Sequence, residues 1–295
     1  AVSRHGAAQL AALVSPMFSA EELYLAQALV RGLGSAHIDH RLHQLDTSDD
    51  AAQPIAPGFA IPLAQYSDAR SILLVGSHPR HDTPLLGHRI RRAWKHGAEI
   101  HAVNPLAFEH HYSLANELVG SPEQQVADLA AVAAALAQLA GVEYSAEINT
   151  WAARSTQQSA AQAIARSLHG REPSRVLFGD HAVRHPAASA LRRIARFIAD
   201  ASNSSYDEMP AGANSAAAWR VGCVPHRGPA GSAVTGGDSA LALLRNARRA
   251  YVLYGADLPE DCADGVAASA ALAAADFVLA FSAFSSATLN ANAHV

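Results

Sequence analysis

The sequence predicts an α/β fold built on mostly parallel sheets, and three features carry that expectation. One unit recurs: an apolar run, a glycine turn, a proline, then a helical stretch. The apolar runs are about five residues long, the length of strands buried in a sheet. A helix joins two such runs within about thirty residues, which is a βαβ crossover and forces the two strands to be parallel.

Leu10–Val14 is the first strand candidate, and Ser15-Pro16 leads from it into a helix. Ser19 and Glu22 there have the spacing of a capping box, in which side chain and backbone amide satisfy each other. Ser71–Val75 is the next strand, and Gly76-Ser77-His78-Pro79 is its turn. A helix is expected from about Thr83, since Pro84 suits the first helical position, and Lys95, His96 and Gly97 form its stop signal. Ile100–Val103 follows as a strand. The unit returns in "RVLFGDHAVRHPAASALRRIARFIADA" (Arg175 to Ala201) and again from Ala250 to Ala283.

Of 295 residues, 50% are hydrophobic and 16% charged, enough apolar material for real cores. A formal charge of -4 gives no electrostatic reason for binding nucleic acid or anionic lipid. Two distant cysteines, Cys223 and Cys262, exclude a disulfide framework and any closely spaced iron–sulfur motif. The most apolar window, Val126 to Val142, is alanine-rich, holds Asp128 and Gln138, and is short for a span, so a helix of a globular domain is expected there. The chain opens at Ala1 without methionine and stops in mid-pattern, so a segment of a longer protein is expected.

Catalytic motifs are sparse. No turn reads G-x-G-x-x-G, no G-K-[ST] occurs, and "GPAGSAVTGGDSA" (Gly228 to Ala240) follows no clear strand and reads as a surface loop. G-x-S-x-G is absent, so there is no nucleophile elbow. "FEHHYS" (Phe108 to Ser113) lacks the H-E-x-x-H order of a zinc protease. Asp49-Asp50 and Asp257, Glu260, Asp261 and Asp264 read as solvated loop and helix-start charges. "HIDHRLHQLD" places His37, His40 and His43 three apart. On a helix these would drift across the face, with Asp39 and Arg41 pointing elsewhere, so hydrogen bonding without metal is expected of them.

Four blocks in order, "AALVSPMFSAEELYLAQALVRGLGSAHIDHR", "SILLVGSHPRHDTPLLGHRIRRAWKHGAEIHAVNP", "AGANSAAAWRVGCVPH" and "AYVLYGADLP…FVLAFSAFSSAT", resemble the molybdopterin oxidoreductase family over nearly the whole chain. The resemblance implies two Rossmann-like domains clasping a pterin-guanine dinucleotide. In active members a Cys, selenocysteine or Ser of the "HIDHRLHQLD" block binds molybdenum; the corresponding position is Leu45, with Gln44 and Asp46 beside it. Leucine has no lone pair, and Asp46 alone is a conceivable oxygen ligand. In active relatives a strand ends Asp-Pro-Arg, whose charges hold the guanosine, whereas this chain has Asn104-Pro105-Leu106. The resemblance thus implies a vestigial cofactor cleft near Leu45, Gly76, His78, Pro79, Asn104, Gly179 and Asn214, partly filled by Ala51 to Ile61, with no catalytic residue, metal or cofactor in this segment.

Within the family, "VSP…EELYLAQ" and "HIDHR" are most similar to the G-type branch, the large peripheral-arm subunits of bacterial NADH-quinone oxidoreductases (respiratory complex I). That likeness implies a scaffold peripheral to the cytoplasmic face of the inner membrane, without membrane insertion. Its partners would be the other peripheral-arm subunits, and iron–sulfur clusters would lie in an upstream part. The alternatives are an active molybdopterin guanine dinucleotide enzyme of the formate dehydrogenase type and a free-standing nucleotide-binding module. The resemblance also implies an inserted domain: residues 1–44 and 171–295 forming one sheet, and 45–170 the insertion. "LDTSDDAAQPIAPG" and "HGREPS" are the polar, proline-bearing candidates for the junctions.

Overall fold

The computed structural model describes all residues, Ala1–Val295. In chain order its main elements begin with β1 (Leu10–Val14), α1 (Ala20–Gly32), β2 (Ile38–Asp39), β3 (Ser71–Val75), α2 (Pro84–Lys95), β4 (Glu99–Asn104) and β5 (Asn116–Val119). Then come α3 (Pro122–Ala140), α4 (Ala146–Ala152), α5 (Gln158–Gly170), β6 (Ser174–Phe178), α6 (Ala188–Ala201) and β7 (Ser205–Glu208). The last are α7 (Ser215–Val221), α8 (Ala240–Arg245), β8 (Ala250–Tyr254), α9 (Gly265–Ala273), β9 (Phe277–Phe281) and α10 (Ala287–Asn292). The chain divides into two compact units, Ala1–Pro57 with Pro210–Val295, and Gly58–Met209.

The first unit is a four-stranded parallel sheet in the order β2-β1-β8-β9. Successive strand residues point to opposite faces, and both faces are apolar. Ala11, Leu13, Tyr251 and Leu253 pack against Leu243 and Leu244 of α8 and Ala268 and Leu272 of α9. Leu10, Ala12, Val14 and Ala250 pack against Leu23 and Val30 of α1 and Ala218 of α7. The expected capping box is present: Glu22 N–H donates to Ser19 Oγ, and Ser19 N–H to Glu22 Oε2 at 2.9 Å. Asp264 caps α9, its Oδ1 accepting from Ala267 N–H at 3.0 Å, as a helix-start charge should.

The second unit is a five-stranded parallel sheet in the order β5-β4-β3-β6-β7. Leu73, Val75, Val176 and Phe178 face α3, α5 and α6. Ile72, Leu74, Ile100 and Leu177 face Tyr66 and, on α2, Leu86 and Ile90. This is the three-layer, doubly wound arrangement the recurring unit predicts. The alanine-rich window lies in α3, which begins at Pro122 behind the N-cap Ser121. No helix is long and apolar enough to cross a membrane.

The boundary expected at 170/171 is corrected. β6 pairs in parallel with β3, Ser71 opposite Ser174 through Val75 opposite Phe178, and β7 pairs with β6. Residues 171–209 therefore belong with 58–170, and "HGREPS" is an ordinary helix-to-strand loop inside one sheet. The chain leaves this unit after Met209. The first junction also lies later than expected, between Pro57 and Gly58 rather than at residue 45, because Arg227 holds residues 50–54 in the first unit. Its guanidinium donates to the carbonyls of Asp50, Gln53 and Pro54 at 3.0, 2.7 and 2.9 Å.

Candidate functional site

In the first unit, the "HIDHR" block is not helical. Ile38-Asp39 is an edge strand, and the following residues are irregular. Asp39 and Arg41, expected to point elsewhere, are buried together. Arg41 Nε donates to Asp39 Oδ1 at 2.9 Å, and Nη2 to Asp39 Oδ2 at 3.0 Å. Arg41 Nη1 reaches Asp50 Oδ1, and the guanidinium carbon lies 5.0 Å from the Trp219 ring centre. Asp39 Oδ2 also accepts the Ala240 N–H at the start of α8, 3.0 Å away. Burial alone would lower the Arg41 pKa, but Asp39 and Asp50 more than offset it and raise it. Asp50 is thus corrected from a solvated charge to a member of a buried network. Burial raises its pKa, but hydrogen bonding from His226 and the charge of Arg41 bring it below the usual carboxylate value. Every charge in this network is paired and hydrogen-bonded, which is the condition for burying it.

The three histidines have separate surroundings. His40 Nδ1 lies 2.8 Å from the Cys223 carbonyl, so that nitrogen carries the proton. Its Nε2, 3.2 Å from Ser215 Oγ, is left as acceptor. Burial lowers its pKa to about 4, consistent with a neutral ring whose two nitrogens are both used. His37 is buried too, and its Nδ1 accepts the Asp238 N–H at 3.2 Å. His43 is half-buried. No group of three or more His, Cys, Asp or Glu side chains comes together to hold a metal ion. Leu45 is 40% exposed. The adjacent Asp46 turns its Oδ1 to Ser48, accepting N–H at 3.0 Å and Oγ–H at 2.6 Å. Asn214 precedes α7 and caps it without a side-chain bond, while its N–H donates to the Pro16 carbonyl at 2.8 Å.

In the second unit the fold brings Gly76, His78, Pro79, Asn104 and Gly179 to the carboxyl ends of β3, β4 and β6. Strand order reverses between β3 and β6, the place where open α/β sheets bind ligands. Here the two glycines make room for each other's backbone. A Cβ on Gly179 would lie 2.4 Å from both Gly76 O and Ser77 Cβ, and one on Gly76 would lie 2.4 Å from Ala182 N. The Gly76 carbonyl accepts His181 N–H at 3.0 Å and Ala182 N–H at 3.3 Å, so the amides after β6 that could cradle an anion are spent internally. Asn104 is fully buried, and its amide is used on both sides: Oδ1 accepts Ser77 N–H at 2.9 Å, and Nδ2 donates to Ser77 O at 3.3 Å.

An aromatic stack that sequence reading missed lies over these turns. His78 stacks on Phe108 at 4.6 Å and 6°, and Phe108 on His181 at 5.1 Å and 21°. His110 meets His78 edge-on at 5.5 Å, and burial, with His78 and Arg80 nearby, lowers its pKa to about 4. These residues lie in three separate segments after β3, β4 and β6, so His78 and the adjacent histidines of "FEHHYS" could be singled out in the sequence but not their stacking.

At the positions that the resemblance assigns to the pterin-guanine dinucleotide, the side chains expected to hold it are missing. The expected metal-ligand position carries a hydrocarbon. The tip of β4 offers a neutral amide already satisfied by backbone, with Leu106 63% exposed where a base would be needed.

The profile of the molybdopterin oxidoreductase family matches residues 2–295. Among solved structures, acetylene hydratase from Pelobacter acetylenicus is similar over 95% of this chain with a TM-score of 0.62 at 10% identity. The chain spans 48% of that protein's length. The formyltransferase/hydrolase complex (FhcABCD) from Methylorubrum extorquens, solved with methylofuran, is similar over 96% of this chain and 77% of its own, with a TM-score of 0.60 at 14% identity. At such identities the likeness is one of fold. Four sequence blocks in order, two parallel sheets and a family match over essentially the whole length agree: the chain belongs to the molybdopterin oxidoreductase family.

Proposed function

We propose that this chain is a non-catalytic scaffold segment of the G-type large peripheral-arm subunit of an NADH-quinone oxidoreductase. It would brace an iron–sulfur relay held outside the segment and contact neighbouring peripheral-arm subunits on the cytoplasmic side of the membrane. The observation that carries this reading is Asn104. At the strand tip where active relatives present a free carboxylate to guanosine, this chain has an amide consumed by the Ser77 backbone. Leu45, and an Asp46 occupied by Ser48, support it further. A structural element can keep the fold's glycine turns while losing its ligands, because the turns are needed for strand packing itself.

The second reading is an active molybdopterin enzyme acting on formate or a similar small molecule, and the family match over residues 2–295 is what favours it. The two separate when the full-length protein is purified from its host membranes. Co-purification with an NADH-oxidising, iron–sulfur-containing assembly supports the scaffold. A free protein that oxidises formate with an artificial acceptor overturns it.

A further inference from the structure

The second unit contains a cavity of about 510 Å³ that shares no residue with the candidate functional site. The first turn of α3, the end of α4 and the start of α6 line it. The volume falls in the range of small-molecule sites. Much of the wall is flat and apolar, from Pro122, Val126, Trp151 and Pro186.

The polar groups on that wall are mostly committed. Ser121 Oγ accepts Gln124 N–H at 3.4 Å and donates to Glu123 at 3.0 Å, and Gln124 Nε2 donates to Asp128 at 2.7 Å. His185 Nδ1 accepts Ala187 N–H at 2.9 Å, which leaves Nε2–H to donate to the Pro122 carbonyl at 3.2 Å. Arg154 is different: it lines the cavity, is exposed, and enters no ion pair. The Trp151 ring beside it is held in place, with Arg193 5.5 Å from its centre and Arg193 anchored by Glu147 at 2.9 Å. The positive end of α6, which has no acid in its first turn, opens on the same space.

We propose that this cavity binds a small aromatic carboxylate, its ring against Trp151 and the two prolines and its anion on Arg154. A neutral molecule of the same shape would gain the apolar contact and lose the charge-assisted bonds, which are worth about tenfold or more in affinity. The inference is independent of the scaffold reading. Calorimetric titration of the intact chain with 2-naphthoate and with 2-naphthylmethanol tests it. Saturable naphthoate binding at least about tenfold tighter than the alcohol is expected, and Arg154→Gln, at an exposed position, should bring the two ligands level. Absence of saturable naphthoate binding, equal affinity for acid and alcohol, or an acid preference that survives in R154Q would each overturn the proposal.

Discussion

On the proposed reading, Asn104 is, at the scale of one residue, a binding position turned structural. An amide can both accept from Ser77 N–H and donate to Ser77 O, whereas a carboxylate can only accept. Asn104→Asp should therefore destabilise the chain by about 1–3 kcal/mol, read as a lower urea midpoint, because the Ser77 carbonyl loses its donor and faces a charge. Asp39→Asn should cost more, about 3 kcal/mol, since it breaks a buried pair and leaves Arg41 with Asp50 as its remaining anion. His40 sets a pH dependence. Its folded pKa, about 4, lies below the ordinary 6.5, so the unfolded chain binds a proton that the folded one refuses. Stability should hold above pH 6.5 and fall between 6.5 and about 4, by on the order of 3 kcal/mol for this fully buried ring. Denaturation midpoints at pH 7.5, 6 and 5 check the sign, and His101, also lowered to about 4 by burial, adds to the slope. The "HIDHR" histidines could be read from the sequence as hydrogen-bonding residues, but the Asp39–Arg41–Asp50 network could not. Its third member sits nine residues from Arg41 in a stretch with the composition of a surface loop, and only the fold turns it inward.

Among the elements, apolar strands were legible and polar edges were not. β1, β3, β6 and β8 are buried apolar runs and could be read at their observed positions, as could the β9 edge. β5 (Asn116–Val119) and β7 (Ser205–Glu208) form the two edges of the second sheet and carry Asn116, Glu117, Asp207 and Glu208, so no apolar run announces them. The same blindness misplaced the domain boundary: polar, proline-bearing loops look alike whether they join strands of one sheet or two separate units, and only strand pairing distinguishes them. The crossing of β3 and β6 yields a sharp prediction. Gly179 has an ordinary φ of -93°, so Gly179→Ala costs nothing in backbone conformation and acts only through its overlap with Gly76 and Ser77. A loss of about 1–3 kcal/mol is expected. Gly170→Ala, where an added Cβ meets nothing within 4 Å, should be neutral or mildly stabilising. Equal effects of the two substitutions in thermal unfolding would contradict this packing role.

For the whole molecule, the division into two units has a direct consequence. Residues 58–209 are continuous in sequence and own both faces of a five-stranded sheet, so they should fold alone with a cooperative thermal transition. A truncated chain ending at residue 170 lacks β6 and β7 and should not. The central claim, that the family's cofactor machinery has been converted to structure, is tested most directly by metal and pterin analysis of the chain expressed in a host that makes the molybdenum cofactor. Molybdenum far below one equivalent is expected, with no pterin fluorophore released on denaturation. Near-stoichiometric molybdenum accompanied by a pterin would contradict the claim.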